Sequence, residues 1–357
     1  MKISRLSVFQ KIAACLGIFL ATVAHAQNNL TIALARNTIT PAEETFTIAV
    51  PKQLGYFKEE DISVAIITTS GSTAALQAVA NGSADIAYAS STTIASAVER
   101  GIPVKAFAGI TVQWPYFIGV PQGSAIKTIA DLKGRRIGVI SLASASYADL
   151  KANLHLAGLS EDDVTIVAVG AGARAAAALR NNEVDAVDSY SDSFTVMRQN
   201  GVTLTLLPRP AEMEKLFSVT MVTSTKMLQE RPQDLVRFVR AAYKGIIYTQ
   251  LYPESALALS FAEYPQLAGS SDPRSQDARN TLEAMRIALG DSIPKDNADP
   301  ATWGQWLNIS NERWDALLKF AYQTGQIETQ LTPAQVWDGS LMPQIYPLDI
   351  SDITEKR

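Results

Sequence analysis

Residues 62–89 read ISVAIITTSGSTAALQAVANGSADIAYA, and this stretch decides the fold. Its first six residues are mostly apolar and β-branched, as a strand in a packed sheet requires. Residues 68–71 are a short polar loop, and residues 72–80 are good helix formers. Asn81-Gly82 then supplies residues suited to the left-handed backbone that ends a helix. Residues 86–89 return to strand. A strand, a helix and a strand within about 30 residues form the βαβ unit of a parallel sheet.

The same grammar runs outward in both directions. Upstream lie a strand at 30–34 and a helix at 42–54 ended by Gly55. Downstream lie a helix at 92–99 closed by Gly101 and a strand at 104–110. A second pass begins near Pro115, with strands at 116–120, 136–140, 164–169 and 186–187. Helices at 128–134, 147–156, 173–180 and around 194–199 separate them. After a strand at 217–222 the pattern becomes almost purely helical, beginning with a long amphipathic segment at 232–250. The expected fold class is α/β: two Rossmann-like lobes joined by hinge strands, with a helical C-terminal extension. No Gly/Ser linker interrupts the chain, so Gln113-Trp114-Pro115 and Lys215-Leu216-Phe217 are the expected crossings. Lobe one then comprises 27–114 plus 218–357, and lobe two 115–217.

At 357 residues, 47% hydrophobic, the chain is long enough for two such units. Residues 1–26 read as a signal peptide: Lys2, Arg5 and Lys11, then an apolar run at 12–23, then Ala24-His25-Ala26. The run is too short to span a bilayer. Cleavage after Ala26 is expected, with a lipid anchor at Cys15 the less favoured alternative. It removes three positive charges and no negative ones, taking the formal charge from −4 to −7. It also removes the one cysteine, Cys15, and one of two histidines, His25. His155 remains, near a helix end, an ordinary surface position. Cys/His zinc sites and cysteine nucleophiles are therefore excluded, and no metal or cofactor is expected. An acidic chain without basic patches is not expected to bind nucleic acid.

In open α/β sheets ligands sit beyond the carboxyl ends of the strands, where helix N-termini present backbone N–H groups. Small polar residues recur at those junctions. They give the candidates Ser70, Gly71, Ser72 and Thr73; Ser90, Ser91 and Thr92; Ser144, Ser146 and Tyr147; and Ser189 with Tyr190. Each loop taken alone is better read as a helix cap; five such loops in tandem units, counting Gly170-Ala171-Gly172-Ala173-Arg174, favour a ligand site. Arg36, next to Asn37 after the first strand, can pair with a carboxylate or sulfonate. Arg174 at a helix start hints at a bound anion or an acidic partner such as Asp188. Trp114 and Tyr190 can stack a planar ring or serve packing. No dinucleotide fingerprint, phosphate loop or G-x-S-x-G elbow is present. No catalytic residue is expected.

Four segments resemble a known family in order. Residues 53–64, QLGYFKEEDISV, are similar to the GYFKEEGLDV segment of periplasmic substrate-binding proteins for sulfonates, taurine, nitrate and thiamine-pyrimidine precursors. Residues 78–87, 129–139 (IADLKGRRIGV) and 183–186 (EVDA) match further segments of that family. The resemblance covers about residues 30–250. It implies a type II periplasmic-binding fold that closes on its ligand, a periplasmic location, an ABC permease as partner and a monomer without enzymatic activity. The implied ligand is a small organic anion or a polar heterocycle. Asp188-Ser189-Tyr190 departs from the aromatic-rich segment of several sulfonate binders and argues against a simple alkanesulfonate. The same clamp can serve a sensory receptor. Enzymes on this fold include a pyrimidine synthase that uses a cysteine cluster and histidine; this chain lacks that cluster.

Overall fold

The computed structural model describes residues 28–268, 272, 274–294, 302, 305–346 and 348–356. The signal-peptide reading, with Ala26 and Cys15, lies outside them. Among the described residues ten strands form two five-stranded sheets. The first holds β1 (Asn28–Leu34), β2 (Ile62–Thr68), β3 (Ile86–Ser90), β4 (Val104–Gly109) and β10 (Val219–Ser224). Their order is β2-β1-β3-β10-β4. The second holds β5 (Tyr116–Pro121), β6 (Arg136–Val139), β7 (Thr165–Ala168), β8 (Ala186–Tyr190) and β9 (Leu204–Leu206), in the order β7-β6-β8-β5-β9.

The expected grammar holds, with one amendment. β1 pairs in parallel with β2 and β3, and β6 with β7 and β8. β10, however, runs antiparallel between β3 and β4, and β5 antiparallel between β8 and β9. Each antiparallel strand is the one that arrives from the other sheet. Both sheets are therefore mixed, and the chain crosses between them twice.

The crossings are held by polar and aromatic contacts. Trp114 is buried, donates from Nε1 to Asp149 Oδ1 at 2.7 Å, and packs edge-on against Tyr116 and Phe320. Its carbonyl accepts from Arg209 Nη1 at 2.9 Å. At the second crossing Phe217 meets fully buried Trp314 with ring centroids 4.8 Å apart. The helical C-terminal part thus packs on the crossings and on the first sheet's core.

It also reaches the second lobe. Helix Gln276–Gly290 lies along helix Ser191–Gln199, with Arg198 bonded to Glu283 at 2.6 Å and Gln199 Nε2 donating to the Asn280 carbonyl. No helix among the described residues is long and apolar enough to cross a membrane.

Candidate functional site

The carboxyl edges of β1, β3, β6, β7 and β8 face one another across a cleft, joined by the leading ends of β5 and β10. The cleft encloses a cavity of about 270 Å³, at the small end of ligand pockets. Arg36, Asn37, Ser72, Ser90, Ser144, Arg174 and Tyr190 of the sequence candidates line it.

The others stand elsewhere. Ser70 lies at the mouth, where its carbonyl accepts from Ser141 Oγ at 2.8 Å. Gly71 touches the opposite lobe, and Thr73 is exposed. Ser91 donates to the Phe217 carbonyl, Thr92 is buried, and Ser146 accepts from the Ile140 amide. Tyr147 bonds Glu161 at the surface, and Trp114 belongs to the crossing. Ser189 is buried with no hydrogen-bond partner for its hydroxyl.

Local chemistry explains why the serines collect here: their hydroxyls accept from backbone amides at the strand ends. The Ser90 amide donates to Ser72 Oγ at 3.1 Å, the Gly172 amide to Ser193 Oγ at 2.8 Å and the Ser141 amide to Ser144 Oγ at 3.2 Å. These are strand-end and loop amides; the first turns of helices Ser72–Ala80, Ala145–Leu156 and Ala173–Arg180 carry no side-chain cap. Gly172 makes this turn because its φ of +56° belongs to the left-handed region.

The acidic side of the site was missed by sequence reasoning. Arg36 bonds Glu43 and Thr40, stands 3.7 Å from Glu44 and lies over the Tyr190 ring at 5.3 Å. Glu43, Glu44, Asp192 and Asp291 all line the cavity, joined by Tyr88 and Tyr116. Glu43 and Glu44 precede a π-helical segment, Thr45–Ala49, that turns them toward β1. Asp291 follows the helix Gln276–Gly290 and accepts from Ser191 Oγ. Asp192 stands in the polar stretch 188–192, DSYSD, which does not mark it out, and Asp291 carries no local signal at all.

Burial raises the pKa of several carboxyls. Desolvation lifts Asp149 to about 6 despite the donors Trp114 and Asn153, and lifts Asp188 well above the usual range, with Asp149 beside it. Desolvation likewise raises Glu44 and Asp192, and brings Asp291 to about 7. A raised folded pKa means the folded state holds protons more tightly, so stability falls as pH climbs from about 4 through 7. Asp163, held low by the Ser160 amide and Lys133, and Asp185, held low by Arg136, act oppositely and lose their contribution in acid. The unliganded protein is expected to melt highest near pH 5 and several degrees lower at pH 8. A melting series from pH 4 to 8 checks this; a steady rise to pH 8 would contradict the burial of these carboxyls.

A family model described as NMT1/THI5 like matches residues 44–256. The riboflavin-binding protein RibY of Chloroflexus aurantiacus is 26% identical over 293 residues, covering 81% of this chain and 80% of that protein. The 4-amino-5-hydroxymethyl-2-methylpyrimidine phosphate synthase of Legionella pneumophila is 25% identical, covering 62% and 70%. The alkanesulfonate-binding protein SsuA of Xanthomonas axonopodis pv. citri, bound to MOPS, superposes with a TM-score of 0.63 at 18% identity, covering 87% and 98%. At that identity the likeness is one of fold.

Proposed function

The chain belongs to the NMT1/THI5-like family, and from that premise we propose that it is the extracytoplasmic solute receptor of an ABC importer, closing two lobes around a small polar heterocycle. One observation carries the reading. An enclosed cavity lies between the two sheets, lined by Tyr88, Tyr116 and Tyr190 and by hydroxyls, carboxyls and two arginines that can hold a solute. None of its lining residues is cysteine, histidine or lysine, so the cavity offers no thiol, imidazole or amine for covalent chemistry. Binding energy would go into closure: a solute that contacts both lobes favours the closed state. The closed surface would then be what a permease recognises.

Two observations favour a heterocycle over a sulfonate or carboxylate. The cavity already carries the carboxyl groups of Glu43, Glu44, Asp192 and Asp291, which oppose a further anion. The buried arginine is already bonded to Glu43. Tyrosine faces suit a ring, and carboxylates accept from ring N–H and amino groups. The names of the riboflavin-binding and pyrimidine-phosphate relatives agree with a ring ligand.

A thermal-shift panel of purified protein against aminopyrimidines, riboflavin, taurine, nitrate and benzoate tests this. A ligand at 100 times its Kd stabilises by about 2.7 kcal/mol, a readily visible shift. A heterocycle is expected to raise the melting temperature and be recovered unaltered. A response confined to taurine or nitrate would overturn the ligand class, and chemical conversion would overturn the receptor reading.

A further inference from the structure

The cavity's formal charges are unbalanced. Four carboxylates face two arginines, and the arginines do not serve the interior equally. Arg36 is engaged by Glu43 and Glu44 and shares its charge with Asp192, while Arg174 is exposed at the rim. Asp192 and Asp291 both line the cavity from adjoining elements, one on the second lobe and one on the C-terminal extension. Asp192 is only 5% exposed and accepts no hydrogen bond from any other described residue. Asp291 has the Ser191 hydroxyl. Glu44 Oε2, also against the cavity, is buried without a hydrogen-bond partner. Buried carboxylates in this state are costly unless something supplies positive charge or donors.

The position of Asp192 sharpens the point. It stands in the first turn of helix Ser191–Gln199, whose positive dipole end would otherwise attract an anion. The protein's own carboxylate fills that seat.

We propose that the solute is a cation whose charge lies on a flat, donor-rich nitrogen group, such as an amidinium or a protonated aminoheterocycle, bridging Asp192 and Asp291. This rests on the cavity being the solute site. Tyr88, Tyr116 and Tyr190 line the same cavity, aromatic rings favour cations over their faces, and a planar group presents several N–H donors to the two carboxylates. The two carboxylates stand on adjoining elements linked by the Ser191–Asp291 hydrogen bond, beside the first crossing, where the Val112 and Gln113 amides donate to the Asp291 carbonyl. Acid weakens such binding: Asp291, surrounded by Glu43, Asp192, Ser191 and Arg209, gains a proton below about pH 7.

The test compares three flat probes of nearly equal shape, benzamidine, benzamide and benzoate, by calorimetric titration at pH 8 and pH 5.5. Benzamidine is expected to bind at least tenfold more tightly than benzamide, benzoate not at all, and benzamidine is expected to weaken at least fivefold at pH 5.5. Asp192→Asn and Asp291→Asn should each weaken benzamidine at least tenfold and leave benzamide unchanged. Benzoate binding as well as benzamidine, unchanged affinity in both Asn variants, or silence of benzamidine at 10 mM each overturns the cation assignment. Ala171→Trp, which fills the cavity from its rim, separates the two claims. If it leaves binding intact for a solute identified in the panel, the cavity itself is the wrong site. If it abolishes that binding while the benzamidine series fails, only the charge assignment falls.

Discussion

Replacing Gly71 by alanine is expected to weaken solute binding about a hundredfold while leaving both lobes folded. A Cβ at this position would lie 2.3 Å from the Ala143 carbonyl oxygen and 2.9 Å from the Ser144 nitrogen, all of it backbone of the opposite lobe. Main chain cannot swing aside as a side chain can. Gly71 also has φ +155° with ψ −177°, a region that only glycine adopts without strain. The clash exists only when the lobes touch, so the variant escapes it by opening. A hundredfold loss corresponds to about 2.7 kcal/mol taken from the closed state. Ser141→Ala, which removes only the hydrogen bond to the Ser70 carbonyl across the same mouth, is expected to cost about 1 kcal/mol or less, under tenfold. Calorimetry on both variants, with scattering to follow closure, checks the pair. Gly71→Ala binding as wild type would show that this contact is not part of the binding state.

Gly245→Ala is expected to destabilise the fold by about 3 kcal/mol, lowering the melting temperature by several degrees. Gly245 sits inside helix Pro232–Leu251, where helix propensity alone favours alanine by about 1 kcal/mol. Packing opposes it. An added Cβ would lie 2.2 Å from the Phe46 carbonyl oxygen and 2.5 Å from Pro51 Cγ. The segment struck is the π-helical turn that follows Glu43 and Glu44, so the site should also loosen. Overpacking of 1–3 kcal/mol or more outweighs the propensity gain. A variant more stable than wild type would mean that the helix and the π-helical turn are not in this close contact.

Much of the architecture was legible because the period of the apolar pattern reports locally. Residues 62–89 predict strand, helix and strand, and those elements form at Ile62–Thr68, Ser72–Ala80 and Ile86–Ser90. Three features were not. The antiparallel placement of β5 and β10 depends on where the chain goes between sheets, which composition does not encode. The three-residue strand β9 is too short for alternation to register. The π-helical turn at Thr45–Ala49 reads as ordinary helix.

The candidate site divides along the same line. Ser72, Ser90 and Ser144 were found because loop position after a strand is a local property. Their role was not, because whether a hydroxyl serves a ligand or its own backbone is settled by geometry. Glu43 and Glu44 were hidden inside a helical stretch. Asp291, a hundred residues from its partner Ser191, joins the cleft only when the C-terminal helix packs on the second lobe.

The most direct test of the receptor account is a titration of the purified protein with the solute that stabilises it best, followed by mass spectrometry of what the complex releases. The account predicts one site per chain, a negative heat-capacity change from closure, and a solute recovered with its mass unchanged after prolonged incubation. A released molecule of different mass, formed in excess over protein, would contradict it and make this chain an enzyme.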